Sequence, residues 1–111
     1  MNQLKKLQQI IKVVEEFRKL DSELQAQAQH VFLDICTHAD TTVTDVGKRV
    51  GISTASASRN IQLLGNKTRK GNPGLKLVTL VEDPIDARSK RVNLTPYGKL
   101  IAKSLTDILD S

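Results

Sequence analysis

A chain of 111 residues is long enough for one hydrophobic core and too short for two ordinary domains. Its 17 Lys and Arg against 12 Asp and Glu leave a formal net charge of +5 and a sequence pI near 9.6, which favours a polyanionic partner. No apolar run reaches the length of a membrane span, a single cysteine excludes an internal disulfide, and Phe17, Phe32 and Tyr97 are too few aromatics for a stacking surface on single-stranded nucleic acid.

Residues 3 to about 19 place Leu4, Leu7, Ile11 and Val14 at coiled-coil-like spacing, with Ile10 and Phe17 widening the stripe. Charges run through this segment, so it is no signal core, and Glu15 and Glu16 beside Lys5, Lys6 and Lys12 favour packing on a partner helix over a membrane surface. Leu20, Asp21 and Ser22 mark a break, and Ser22 with Gln25 has capping-box spacing. A second helix is then expected to about Thr37, burying Leu24, Ala28, Val31, Phe32 and Ile35. Cys36 falls in this apolar pattern and reads as a core side chain, with a redox-sensing thiol as the alternative. His30 and His38 have no second cysteine near them, so no metal site and no cofactor are expected.

After the loop HADTT and a short strand expected at Val43, residues 44–64 read as a helix-turn-helix. Thr44 is the expected cap of its first helix and Asp45 suits the positive helix end, while Val46 and Val50 give one buried stripe. Gly51 supplies a left-handed exit, and Ser53 caps a second helix with Ala57, Ile61 and Leu64 turned inward. The opposite face carries Thr54, Ala55, Ser56, Ser58, Arg59 and Gln62, short groups that admit a close backbone plus two that hydrogen-bond to bases or phosphate. Two short helices joined at a glycine and a serine also occur in domains that bind nothing. Gly47 favours the sharper reading, because glycine inside a helix costs about 1 kcal/mol relative to alanine and implies close approach of the second helix.

Lys48, Arg49, Arg59, Lys67, Arg69, Lys70 and Lys76 fall between Val46 and Val81 with no carboxylate among them. GNKTRKGNPG is a glycine-rich basic loop in which Lys67, Arg69 and Lys70 are expected to touch phosphates. LKLVTLVED and RVNL, separated by PIDARSK, read as a hairpin with a basic tip carrying Arg88, Lys90 and Arg91. A hairpin directly after a recognition helix is a wing, able to reach phosphates or the adjacent minor groove. Thr95 and Pro96 start a last helix with Leu100, Ile101, Leu105, Ile108 and Leu109 on its apolar face. No phosphate loop ending in Lys-Ser or Lys-Thr, nucleophile elbow or catalytic carboxylate pair is present, so no enzyme is expected.

From about Ser22 to Ile101 the chain resembles the winged-helix core of the MarR family of bacterial transcriptional regulators. The resemblance is carried by VTDVGKRVGISTASASRNIQLL, by DARSKR at the wing and by NLTPYGK at the strand-to-helix exit. In the family's wing pattern an acid precedes one arginine by two residues and a second arginine follows three later; Asp86, Arg88 and Arg91 fill those places. The resemblance implies that Arg88 enters the minor groove, that Asp86 holds it, and that Ser53, Thr54, Ser56, Ser58 and Arg59 face the major groove or its phosphates. Gly65–Gly74 is longer and more basic than the family's usual turn, and about fifteen residues follow Pro96 where members carry long dimerisation helices. A small-molecule effector is therefore not expected.

The expected architecture is mainly α with a small β-hairpin (α+β), one winged helix-turn-helix domain over residues 1–111 with flanking N- and C-terminal helices. Residues 1–20 and 96–111 are the expected dimerisation helices, 44–64 the helix-turn-helix and 75–95 the wing. The expected function is a cytoplasmic, homodimeric regulator that binds double-stranded DNA sequence-specifically and represses by promoter occlusion, with no membrane partner. The alternatives are a DNA-binding protein for replication or for plasmid or phage maintenance, and a winged-helix protein-interaction module.

Overall fold

In the computed structural model, which describes residues 2–66, 70–86 and 90–111, five helices surround a small antiparallel sheet. In chain order these are α1 (Asn2–Leu20), α2 (Ala26–Cys36), β1 (Thr41–Thr42), α3 (Val43–Val50), α4 (Thr54–Leu64), β2 (Val78–Glu82), β3 (Lys90–Leu94) and α5 (Pro96–Leu109). The sheet order is β1-β3-β2, and the hairpin register pairs Val78 with Leu94 and Glu82 with Lys90. This is the expected mainly α winged helix-turn-helix, with β1 adding a third strand that pairs Thr41 with Val92 and Thr42 with Arg91.

One core joins the elements. Ala28, Val31 and Phe32 of α2, Val46 of α3, Ala57, Ile61 and Leu64 of α4, Leu77, Val78 and Val92 are buried together, with Phe17 set edge-on to Phe32 at a centroid distance of 6.1 Å. Fully burying a Leu or Ile side chain is worth about 1.5–3 kcal/mol, so Ile61 and Leu64, with Ala57 beside them, fix α4 firmly. Below α4 the chain turns back on itself. Leu75 N–H donates to Leu63 O at 2.9 Å, Lys76 N–H to Gly65 O at 2.8 Å and Leu77 N–H to Leu64 O at 2.7 Å, tying the base of the basic loop to the end of α4.

Three helix starts differ from expectation or confirm it for local reasons. Thr42, not Thr44, caps α3, accepting the Asp45 N–H, because it is Thr42 that stands three residues before that amide; Val43 opens the helix and the strand lies at Thr41–Thr42. The Ser22–Gln25 capping box does not form: Leu24 is drawn into the core, α2 begins only at Ala26, and Asp21 instead accepts the Glu23 N–H in a local turn. At α5, Thr95 accepts the Gly98 N–H with Pro96 in the first turn, as the sequence predicts.

Helices α1 and α5 pack side by side, and Gln9 donates to the carbonyls of Ile108 and Leu109, both at 3.3 Å. Only part of the expected α5 stripe packs on the chain's own core. Leu105 is buried, and Ile101 and Ile108 are half-buried. By contrast Leu4, Leu7, Ile10, Ile11 and Val14 on α1 and Leu100 and Leu109 on α5 stay exposed.

Candidate nucleic-acid interface

The two helices of the motif are locked at their turn. Gly51 takes φ 84°, leaving α3 in the left-handed region that glycine adopts without a Cβ penalty, and its N–H and that of Ile52 both reach Gly47 O at 2.9 Å. At Gly47 a Cβ would stand 3.1 Å from Ile52 O and 3.5 Å from Ala57 Cβ. The close approach of α4 to α3 thus explains the helix-interior glycine. Ser53 caps α4 by accepting the Ser56 N–H at 3.0 Å, and the Ser53 hydroxyl also reaches Ser56 Oγ at 3.1 Å.

With Ala57, Ile61 and Leu64 packed inward, α4 leaves Thr54, Ala55 and Arg59 exposed and Ser56 and Ser58 half-buried. Arg59 leans back one turn, donating to Ser56 Oγ at 3.1 Å, which holds its guanidinium along the outer face. Gln62 departs from the expected face. Strand β2 covers that flank of α4, leaving a cleft of about 150 Å³ lined by Ile61, Gln62, Gly65, Asn66, Val78 and Leu80, and Gln62 Oε1 is buried on that side.

A rigid frame sits behind this surface, and sequence reasoning missed it. Arg49, counted above with the cations of the interface, forks onto Asp34 of α2 through Nε (3.0 Å) and Nη2 (2.8 Å), and Nη2 also donates to Thr41 Oγ1 at 2.7 Å. The Asp34 side chain is 9% exposed, and His38 Nδ1 lies 3.6 Å from Oδ1, the oxygen that also accepts from Arg49 Nε, so Arg49 serves as a brace between α2, α3 and β1. Hydrogen bonding to Asp34 raises the Arg49 pKa above the ordinary arginine value.

The wing is braced in the same manner. Arg91 donates through Nη1 to Asp40 O at 2.9 Å and through Nε to Asp83 Oδ2 at 3.3 Å, so its guanidinium is engaged within the chain at the wing's base while the side chain stays 40% exposed. The reason lies in the sheet: Arg91 is on the central strand, between Thr42 and Val81. Asp40, at φ 54°, accepts from Asn93 Nδ2 and donates its N–H to Asn93 Oδ1, closing the corner. The amides of Ile85 and Asp86 and the Arg91 guanidinium hold the Asp83 carboxyl below the usual carboxylate range. Lys90 is exposed at the start of β3, and Lys70 is exposed in the basic loop. Lys67, Arg69 and Arg88 lie outside the described residues, so the Asp86–Arg88 pairing has no structural description.

Cys36 is half-buried, and desolvation pushes its thiol up to about 11. At neutral pH it is therefore protonated, which disfavours the redox-sensing alternative. Among the described residues no three His, Cys, Asp or Glu side chains gather to hold a metal, and no helix is long and apolar enough to cross a membrane.

The arrangement matches solved structures over nearly the whole chain. A mutant of MepR from S. aureus bound to an oligodeoxyribonucleotide superposes with a TM-score of 0.75 at 22% identity, covering 97% of this chain and 72% of that one. The fold is the MarR-type winged helix. BpsR of Bordetella bronchiseptica, whose DNA binding is described as regulated by 6-hydroxynicotinic acid, is 25% identical at a TM-score of 0.62 over 93% of this chain and 74% of that one. A MarR transcriptional regulator from Methanosarcina mazei gives 0.70 at 18% identity, with 90% and 65% covered. No family model matches the sequence, and a search of curated proteins finds no match to it.

Proposed function

We propose that this chain is a sequence-specific, double-stranded-DNA-binding transcriptional regulator that works as a homodimer and represses by occupying a promoter. The observation that carries the reading is helix α4: capped at Ser53, pinned inward by Ala57, Ile61 and Leu64, it offers Thr54, Ala55 and Arg59 on a surface with no large apolar anchor. A close backbone, small polar groups and one guanidinium suit the major groove. A protein interface would want aromatic or large aliphatic anchors there. The DNA-bound MepR structure, which has the same fold, supports the assignment.

In this reading Thr54, Ser56, Ser58 and Arg59 face the major groove, with Ser53 setting the helix start. Lys67, Arg69, Lys70 and Lys90 meet phosphates, Arg88 with Asp86 reaches the minor groove, and Arg91 stiffens the wing from within. Residues 1–20 and 96–111 form the pairing region, through the exposed stripe Leu4, Leu7, Ile11 and Val14 of α1 together with Leu100 and Leu109 of α5. Occlusion requires no chemistry, only residence on the duplex. The test is selection of bound duplexes from a random pool at physiological salt, where non-specific cationic binding is weakened. A two-fold-symmetric consensus with half-sites roughly 34 Å apart supports the reading; recovery of unenriched sequence overturns it.

A further inference from the structure

The turn that joins β2 to β3 carries a side chain that the fold does not use. Ile85 is 96% exposed, between Pro84 and Asp86. Turn positions ordinarily go to Gly, Asn, Asp or Ser, whose backbone habits the turn needs. The backbone beneath Ile85 is nevertheless well braced. Asp83 Oδ1 accepts the Ile85 N–H at 2.8 Å and the Asp86 N–H at 3.3 Å, while Asp83 Oδ2 accepts from Arg91, itself anchored on Asp40 O. Pro84 fixes one further dihedral. A side chain held out on such a support loses little freedom when it is buried by a partner.

We propose that Ile85 is an apolar minor-groove contact that selects A·T over G·C pairs beside the sequence read by α4. The inference rests on the hairpin being a DNA-contacting wing, and it adds a determinant other than the arginine of that wing. Proteins that enter the minor groove frequently bring apolar side chains, Ile, Leu and Pro among them, to the base edges and wedge them between base steps. Between residues 82 and 91, Glu82, Asp83 and Asp86 formally balance Arg88, Lys90 and Arg91, so the segment carries no net charge and its cations act only as individual contacts. An apolar contact is what the tip adds. A protein partner fits less well, because a standard interface covers about 800 Å² on each side, and among the described residues the hairpin's far end offers only Ile85 and the strand residue Val81 as strongly exposed large hydrophobic side chains.

The selectivity follows from the groove floor. A·T pairs present only the acceptors of adenine N3 and thymine O2, whereas guanine adds an amino group that stands up from the floor. An isoleucine laid over that amino group removes its water and gives it no acceptor, which is costly. Over A·T the same side chain meets a flatter surface with no donor to strand.

The experiment uses the full chain and duplexes built on the selected consensus, with the flanking pairs made A·T, G·C or inosine·C. Inosine·C lacks the guanine amino group but keeps the major-groove face of G·C. Wild type should bind A·T and inosine·C flanks alike and G·C flanks about tenfold more weakly. Ile85→Ser, at a position already exposed, should bring the three flanks within about twofold of one another while keeping the wild-type salt slope, since no phosphate contact is lost. A G·C penalty that survives Ile85→Ser, inosine·C behaving as G·C, or wild type binding all three flanks equally each overturns the proposal and leaves DNA binding intact. Wild type binding no duplex at all overturns the DNA-binding reading, and the Ile85 contact with it.

Discussion

Helix α4 buries Ala57, Ile61 and Leu64, each at most 1% exposed, whereas α1, 19 residues against 11, buries Phe17 alone and leaves Leu4 at 67% and Leu7 at 50%. Both segments are amphipathic in sequence, so periodicity told that each has an apolar face without telling what that face would meet. In α4 the face meets α2, α3 and β2 of its own chain, and the polar side is held at a fixed angle to the solvent. In α1 most of the face meets nothing in its own chain. One end of the molecule thus has its apolar face covered by its own chain, and the other leaves an apolar stripe uncovered, unfinished in that sense.

The largest expected effect lies at the finished end. Ile61→Ala removes a fully buried side chain under α4 and should cost about 2–5 kcal/mol in urea unfolding; a loss of the size seen at a surface position would mean that α4 is not pinned as described. Next comes the brace behind the motif. Arg49→Ala leaves the Asp34 carboxylate, 9% exposed, without its fork and should cost about 1–3 kcal/mol. Arg49→Lys should recover only part of this, because an ammonium cannot reproduce the two parallel bonds. Full recovery by lysine would reduce the brace to simple charge.

The unfinished end should respond in the opposite sense. Leu7→Ser with Ile11→Ser, both exposed on α1, should change the stability of the isolated chain by no more than about 1 kcal/mol, about 0.5 for each, yet weaken self-association in sedimentation equilibrium. If wild type sediments as a monomer at micromolar concentration with and without DNA, the exposed stripe has another role and the contrast between the two ends fails.

Much of this contrast was legible in the sequence, for a physical reason. Ser53, Gly51 and Thr95-Pro96 act on amides within three or four residues of themselves, so their roles can be read locally, and Gly47 announced a close contact because glycine is otherwise costly in a helix. What stayed hidden is long-range. Arg49 finds Asp34 fifteen residues back, and Arg91 finds Asp40 across the sheet; as isolated cations both looked available to DNA. Where several local solutions compete, the core decides: Leu24 is buried at the expense of the Ser22 cap, and in TTVTD the threonine three residues before Asp45 becomes the cap. Gln62 turned inward because β2 packs on its flank, and no local pattern in α4 encodes that contact.

The central claim, that the outward face of α4 reads base sequence, is tested most directly through Arg59. Wild type and Arg59→Ala would be titrated onto pairs of duplexes that differ either in one core base pair of the selected consensus or only in its flanks. A bidentate contact in the major groove is worth roughly 1–3 kcal/mol of discrimination, so Arg59→Ala should lose preference for the core base by about that amount while the effect of changing the flanks stays as in wild type. Equal weakening on every duplex would reduce Arg59 to a phosphate contact and contradict the account of α4 as the recognition helix.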